Sequence, residues 1–371
     1  MVNSLVRELL SRVPIGDKSK DETIKGGPRT ADDEELEAIL TGLKINIKII
    51  GCGGGGSNTI NRLVEEGVVG ADLYAANTDA QHLLRVHSPH KLLLGKRTTK
   101  GLGAGARPEI GEEAARESEE TLRKILTGAD MVFITCGLGG GTGTGAAPVI
   151  AKIAKEVGAL TITICTFPFK SEGINRMENA QYGLEKLRQV TDTVIVIPND
   201  RLLALVPRLP LEYAFRVADE ILVRAIKGIT EVVTKPGLVN LDFNDLRTIM
   251  KSGGESLIGL GESDGDNRAI EAVEEAINSP LIDADISGAT GALINVTGGN
   301  DMTLAEAEYI SEYIRGRIAP NAKIIWGANI DDTFEHLVRV MVVLTGVKSS
   351  QIYGPTSAPV MKFGTEIDFV R

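Results

Sequence analysis

The first half of the chain alternates between two patterns of apolar and polar positions. Short runs rich in Val, Ile and Thr predict buried strands. The stretches between them carry apolar residues every three or four positions, as on one face of a helix. The clearest strand predictions are residues 45–50, 72–76, 131–135, 160–166 and 193–197. Because strands that alternate with helices usually form a parallel sheet covered on both faces, the expected fold class is α/β.

The second half opens with one long helical pattern, which covers Leu211–Thr234 and stops at the breakers Lys235, Pro236 and Gly237. At the rise of an α-helix this segment would be about 36 Å long. Its apolar stripe is wide, so we expect a central helix lying between two packed units. Beyond it the pattern predicts a smaller α+β domain, with strands at 256–260, 292–296, 323–326 and 338–344 and helices at 268–277 and 304–317.

These patterns divide the chain into five segments. Residues 1–43 form an N-terminal extension, with an amphipathic helix over 2–13 and a linker over 14–33. The residues favour equally a helix that docks on a partner or membrane surface and one that packs on its own domain. Residues 44–210 are the α/β domain, 211–235 the central helix, 236–348 the C-terminal α+β domain and 349–371 a flexible tail.

Composition narrows the classes of function. The 371 residues are 43% hydrophobic, which is enough for a large core. The formal net charge of −10 argues against a nucleic-acid partner, because binding one needs a basic face. The longest aliphatic run, residues 340–344, is too short to span a bilayer, and the chain opens with no secretory signal pattern. A cytoplasmic location is therefore expected.

Cysteine and histidine residues predict no metal site. The three cysteines have no paired spacing, which fits a reducing compartment, and two histidines fall in a predicted surface loop. These residues are Cys52, Cys136 and Cys165, and His87 and His90.

Residues 139–145, five glycines and two threonines, lie between a predicted strand and a predicted helix. Glycines at this density let the backbone approach a ligand and turn several N–H groups toward one point. The helix behind the loop adds its positive dipole end, so a phosphate chain is the expected occupant. The hydroxyls of Thr142 and Thr144 could donate to phosphate oxygens or meet a hydrated Mg²⁺.

A second glycine loop follows the first predicted strand. Gly51, Gly53 and Gly56 match G-x-G-x-x-G, the dinucleotide fingerprint, which is a weak signal alone. That fingerprint requires an acidic residue at the end of the next strand to hold a ribose hydroxyl, and this chain has Asn77 there. The sequence has no G-x-x-x-x-G-K-[ST] motif, so we expect backbone N–H groups rather than a loop lysine to hold the phosphates.

The glycine loop at 139–145 is similar to the signature loop of the tubulin/FtsZ family, and the resemblance to FtsZ extends from about residue 44 to residue 347. It is carried also by residues 51–58, 76–81, 100–106, 169–173 with Arg176, and 240–245. FtsZ is closer than tubulin because Asp245 holds the second acidic position of a short, simple loop. Loop lengths and the acidic balance resemble the archaeal members more than the bacterial ones.

The resemblance implies a GTP-binding domain over 44–210, occupied by GTP or GDP with Mg²⁺ bound mainly through the phosphates. It implies that Glu172 accepts from the ribose, that Arg176 lies near sugar and phosphate, and that Asp219 accepts from guanine. The remaining nucleotide contacts would come from Gly54, Gly55, Gly56, Ser57, Asn58, Asn77, Gly103, Ala104, Gly105, Gly141, Thr142 and Gly143.

The catalytic residues implied by the resemblance are Asn240, Asp242 and Asp245. On pattern alone Asp242 is a good helix N-cap ahead of Leu246. The family assigns this loop to the nucleotide site of the next subunit, where it would orient the attacking water. Hydrolysis would therefore depend on head-to-tail assembly into linear polymers.

The same resemblance implies a cell-division ring at mid-cell, on the inner face of the membrane. Ile367 and Phe369 resemble the short FtsZ tail peptide that docks on a membrane-tethering division protein. Two other functions stay open at this point. One is an NAD-dependent Rossmann dehydrogenase that uses the Gly51–Gly56 loop, and the other is a nucleotide-binding scaffold that does not hydrolyse.

Overall fold

A computed structural model describes residues 45–205, 211–234, 242–251, 253–282 and 284–347. In these ranges ten strands form one mixed sheet, accompanied by eleven α-helices, and this arrangement confirms the expected α/β class with a long central helix. The predicted N-terminal helix, Asn240, Ile367 and Phe369 lie outside the described residues.

The first half forms a parallel sheet of six strands in the order β3-β2-β1-β4-β5-β6. Its elements are β1 (Ile47–Cys52), α1 (Gly53–Glu65), β2 (Ala71–Asn77), α2 (Ala80–Arg85), β3 (His90–Leu93), α3 (Pro108–Glu117), α4 (Glu119–Leu126), β4 (Met131–Gly137), α5 (Thr142–Glu156), β5 (Leu160–Phe167), α6 (Ile174–Val190), β6 (Thr193–Pro198) and α7 (Asn199–Leu205). All five strand predictions in this half fall on observed strands. The loop prediction for His90 is wrong, because His90 begins the short edge strand β3, whose four residues are too few to show an alternating pattern.

The second half continues the same sheet in the order β7-β10-β8-β9. It contains α8 (Leu211–Thr234), α9 (Phe243–Met250), β7 (Gly254–Ser263), α10 (Arg268–Ile277), β8 (Gly291–Gly298), α11 (Leu304–Arg315), β9 (Lys323–Ile330) and β10 (Val338–Thr345). Three residue pairs, Thr193–Gly254 to Ile195–Ser256, join β6 to β7 in parallel, and β10 then pairs antiparallel with both β7 and β8. The pattern did not predict this continuity, and the five segment boundaries stay a prediction.

Helix α8 packs its apolar stripe against both halves of the sheet. Ile226 and Ile229 are fully buried in one cluster with Ile195 of β6 and Leu293 of β8. Burying each such side chain contributes about 1.5–3 kcal/mol, so this stripe fixes the helix between the two halves. Of the described helices, none is long and apolar enough to cross a membrane.

Candidate functional site

Two helices begin side by side at the carboxyl ends of the parallel strands. Strand β1 ends at Cys52 and is paired there with Cys136 of β4, so the helices that follow start next to each other. Neither α1 nor α5 has a side-chain cap from the described residues, which leaves the N–H groups of both first turns available. The two dipoles point their positive ends into one groove, which is suited to a chain of phosphates.

In the glycine loop that follows β1, which we call the upstream loop, some glycines pack against neighbouring backbone and one faces open space. Gly53 has a φ of +76°, and a Cβ there would lie 2.8 Å from the amide nitrogen of Gly143, so these two glycines let the loops touch. A Cβ on Gly55 would approach Gly137, and one on Gly56 would overlap the carbonyl of Thr135. At Gly54 a Cβ would meet nothing within 4 Å among the described residues, so that position faces the groove.

The residues after Gly56 present two polar side chains of different exposure. Ser57 is fully buried, and its hydroxyl has no hydrogen-bond partner in the described part of the chain. An unpartnered buried hydroxyl at the fifth residue of α1 fits a ligand oxygen as its partner. Asn58 is exposed.

The signature loop is braced by its own hydroxyls. Thr144 is fully buried, and its oxygen accepts from the amide of Gly139 at 2.9 Å. The hydroxyl of Thr142 lies 2.6 Å from that of Thr78, which directly follows β2. The sequence predicted Thr142 and Thr144 as equivalent phosphate partners. In the structure Thr144 holds the loop, whereas Thr142 is only partly buried at the groove.

A third loop, residues 100–106, closes the groove beside Thr78. The amide of Gly103 donates to the Thr78 carbonyl at 3.1 Å, and Ala104 is buried against Gly141. Gly103 and Gly105 have φ angles of +84° and +58°, which glycine adopts without strain. The structure therefore brings together the two glycine loops that the sequence pattern predicted as phosphate contacts and the third loop that the family resemblance implied.

The side chain of Asn77 stabilises the turn that follows β2. Its side-chain oxygen accepts from the amides of Thr78 and Asp79, at 2.8 and 3.2 Å, and its nitrogen lies 3.2 Å from the ring of His82. The residue is buried, with 3% exposure. A direct contact with nucleotide stays a prediction.

Glu172 and Arg176 lie on the other side of the signature loop. One carboxylate oxygen of Glu172 accepts from the amide of Phe169 at 2.9 Å, and the other is paired with the guanidinium of Arg176. Asn179 in the same helix donates to the carbonyls of Ala106 and Gly139, at 3.0 and 3.3 Å. Sequence reasoning missed Asn179 and Thr78, because both act through neighbours distant in sequence.

Asp219 faces α1 from the long helix α8. Its Oδ2 lies 3.6 Å from the Nε of Arg62, and its side chain is 19% exposed. Burial raises the pKa of Asp219 to about 6, a value that already includes the opposing effect of the positive charge of Arg62. The Asp219 carboxyl is mostly buried and paired with a cation, so it is not an ordinary solvated acid on a helix surface.

Asp242 and Asp245 lie on the other side of the molecule from the groove, near the amino ends of the parallel strands. Asp242 caps α9 by accepting from the amide of Asn244 at 2.9 Å, and Asp245 sits in the first turn, with both residues exposed. Arg247 of α9 donates to the carbonyl of Gly158, just before β5 begins. Strand β5 has eight residues, so about 26 Å separates this side from the phosphate groove. The structure does not bring these acids to the groove of the same chain.

The described residues contain no group of three His, Cys, Asp or Glu side chains placed to hold a metal ion. The cysteines are reduced and buried, and burial raises the pKa of Cys136 to about 12. They are therefore poor metal ligands and poor nucleophiles at neutral pH.

Comparison with known proteins assigns both halves of the chain. The family model "Tubulin/FtsZ family, GTPase domain" matches residues 46–207, and "FtsZ family, C-terminal domain" matches residues 254–348. "Cell division protein FtsZ 1" of Archaeoglobus fulgidus is 56% identical over 371 residues, which is 100% of both chains. The protein of the same name from Pyrococcus furiosus is 58% identical over 332 residues, covering 90% of this chain and 89% of that one.

The solved structures agree with the sequence comparison. "FtsZ dimer, empty (M. jannaschii)" has a TM-score of 0.82 and 54% identity, covering 86% of this chain and 93% of that one. "CetZ2 from Haloferax volcanii - GTPgS bound protofilament" has a TM-score of 0.71 at 21% identity, covering 82% and 94%, which shows a shared fold.

Proposed function

The chain belongs to the tubulin/FtsZ family and is a GTPase of cell division, and from this premise we propose that two copies stacked head to tail build each hydrolytic site. One copy holds GTP in the groove between its glycine loops. The next copy supplies the carboxylates from its opposite side. The observation that carries this proposal is the separation of Asp242 and Asp245 from the groove of their own chain.

The phosphates are held by backbone N–H groups at the starts of α1 and α5. Gly54 and Gly55 are exposed there, the buried hydroxyl of Ser57 lacks a described partner, and Thr142 borders the groove. The loop of Gly103, Ala104 and Gly105 covers the terminal phosphate. Mg²⁺ binds mainly through phosphate oxygens, because a triphosphate needs a cation beyond two helix dipoles.

The sugar and the base are recognised by side chains outside the glycine loops. Glu172 accepts from the ribose hydroxyls, beside Arg176. Asp219 accepts from N1–H and the 2-amino group of guanine, a pair of donors that adenine does not present. GTP and GDP share these contacts, so both nucleotides occupy the site.

The hydrolytic step needs little from the protein beyond positioning and charge. Phosphoryl transfer to water is accelerated when the water is aligned and its charge is stabilised, and a carboxylate can do this. Asp242 and Asp245 are exposed at the end of the molecule, where a second copy can present them. Asn240 belongs to the same proposed set and lies outside the described residues.

Contacts of this kind join two different surfaces and do not close, so they generate linear filaments. Hydrolysis at each junction then couples the nucleotide state to filament stability, as a division ring at mid-cell requires. We place the ring on the inner membrane face, with Ile367 and Phe369 docking on a tethering protein. Asn77, in place of an acidic residue, and the family assignment disfavour a dehydrogenase. The match to a GTPase domain disfavours a scaffold that does not hydrolyse nucleotide.

Mixing two inactive variants tests the shared site. Asp245→Ala leaves the nucleotide groove intact, and Gly54→Glu places a carboxylate in the open space that we assign to phosphate. A 1:1 mixture should recover about a quarter of wild-type GTP turnover, because one junction in four pairs an intact groove with an intact acid.

The matched control replaces Gly54→Glu by the double variant Gly54→Glu/Asp245→Ala, which has the same groove damage and no acid to donate. That mixture should stay inactive. Equal recovery in both mixtures, or none in the first mixture while filaments form, would contradict the proposal. Loss of GTP binding in Asp245→Ala would show that the residue belongs to the groove of its own chain.

A further inference from the structure

Arg62 links the two ends of the proposed nucleotide site. It lies on α1, whose first turn borders the phosphate groove, and the rise from Gly53 to Arg62 is about 14 Å. Its Nε is 3.6 Å from Oδ2 of Asp219 on α8, and the two side chains are 29% and 19% exposed. One helix therefore carries both the phosphate-binding turn and the cation beside the proposed base-reading carboxylate.

Within the described part of the chain, Arg62 is the charged residue that contacts the Asp219 carboxyl. Two other cations of α8 have carboxylate partners of their own, since Lys227 pairs with Glu66 and Arg224 with Glu220. Of the charged groups in the described ranges, Arg62 is the one that acts on the Asp219 carboxyl. Burial favours the neutral acid, and the guanidinium favours the carboxylate.

We propose that Arg62 is a positioning residue for base selection, which holds Asp219 ionised and oriented to accept from guanine. The proposal rests on the function proposed above, in which Asp219 reads the base. A carboxylate can accept from N1–H and from the 2-amino group together. A protonated carboxyl would place an O–H against one of these donors, so selection of guanine would be lost.

Comparing GDP with IDP measures recognition of the base separately from binding of the phosphates. GDP and IDP carry the same phosphates and differ in the 2-amino group, so the ratio of their affinities cancels phosphate titration and Mg²⁺ binding. Equilibrium binding of both nucleotides at pH 6.5 and pH 8.0 gives this ratio for the wild-type chain and for Arg62→Gln, Arg62→Lys, Lys227→Gln and Asp219→Asn.

In Arg62→Gln the preference for GDP over IDP should fall by about tenfold at pH 6.5 and recover to within about twofold of wild type at pH 8.0. Recovery is expected because removing the cation raises the pKa of Asp219, and higher pH ionises it again. Arg62→Lys keeps the charge and should keep most of the preference. Lys227→Gln breaks a different ion pair, between α8 and Glu66 directly after α1, and should change the ratio at neither pH.

Two results would overturn the role of Arg62. One is a wild-type ratio in Arg62→Gln at pH 6.5, and the other is an equal loss at both pH values, which a merely structural role would produce. If Asp219→Asn loses the preference and Arg62→Gln does not, Asp219 reads the base without Arg62. If Asp219→Asn keeps the preference, the base assignment in the proposed function is itself wrong.

Discussion

The hydroxyls of Thr78 and Thr142 lie 2.6 Å apart, and this hydrogen bond joins the end of β2 to the first turn of α5. It also connects the loop at 100–106 to the signature loop, because the carbonyl of Thr78 accepts from the amide of Gly103. With the close approach of Gly53 to Gly143, these bonds connect all three loops. Thr142 is the residue whose hydroxyl can contact both the protein and the ligand.

Comparing Thr78→Val with Thr142→Val separates these two uses. Both variants remove the same hydrogen bond. Thr142→Val leaves the buried hydroxyl of Thr78 unpaired and should lose about 1–3 kcal/mol of unfolding free energy, whereas Thr78→Val leaves the partly buried hydroxyl of Thr142 open to water and should lose about 0.5–1.5 kcal/mol. Only Thr142→Val also removes the proposed phosphate contact, so its GTP affinity should fall further than that of Thr78→Val. Chemical denaturation without nucleotide and GTP binding measure the two effects. Equal affinities in the two variants would contradict a phosphate contact from Thr142.

Alanine substitutions in the upstream loop should separate ligand contact from packing. Gly54→Ala meets open space in a helix, so stability should stay the same or rise by about 0.5–1 kcal/mol, while GDP affinity falls because the methyl group occupies the groove. Gly56→Ala should instead lose about 1–3 kcal/mol, because its Cβ overlaps the Thr135 carbonyl. Thermal unfolding without nucleotide and calorimetric GDP binding test this. Unchanged GDP affinity in Gly54→Ala would argue against phosphate at that position.

The two roles of Asp242 can be tested with substitutions that differ in capping. Asp242→Ala removes the bond to the amide of Asn244 and should cost about 1 kcal/mol, whereas Asp242→Ser keeps a good N-cap. If the carboxylate acts on the neighbour's nucleotide, both variants should lose GTP turnover and only Asp242→Ala should lose stability. Turnover measured per mass of pelleted filament excludes effects of assembly. Normal turnover in Asp242→Ser would leave capping as the function of this residue.

Sequence patterns anticipated what depends on local periodicity. The bounds of α8 and α10 and the positions of nine of the ten strands were predictable because each buries a regular apolar face. The meeting of the two glycine loops that follow β1 and β4 was predictable because parallel strands end on the same side of a sheet. The contacts Thr78–Thr142, Arg62–Asp219 and Asn179–Gly139 were not, since each joins residues distant in sequence and depends on how the helices pack.

A buried ion pair between Arg188 of α6 and Glu255 of β7 supports the junction at which the sheet passes from its first half to its second. The two side chains are 16% and 4% exposed. Burial raises the pKa of Glu255, and the guanidinium of Arg188 counteracts that effect. Arg188→Met would leave a buried carboxylate without this cation, which should cost about 3–5 kcal/mol of unfolding free energy at pH 8.

The sign of the pH dependence follows from the raised pKa. The folded state of Arg188→Met should bind a proton at Glu255 more tightly than the unfolded state does. Its loss of stability should therefore be largest above the folded pKa and should shrink as pH falls through that value toward the unfolded one. Urea unfolding at pH 8 and pH 6 measures this, with Arg188→Met/Glu255→Gln as the matched control that cannot ionise. A loss of equal size at both pH values in the single variant would mean that packing of the arginine stem, rather than the uncompensated charge, stabilises this junction.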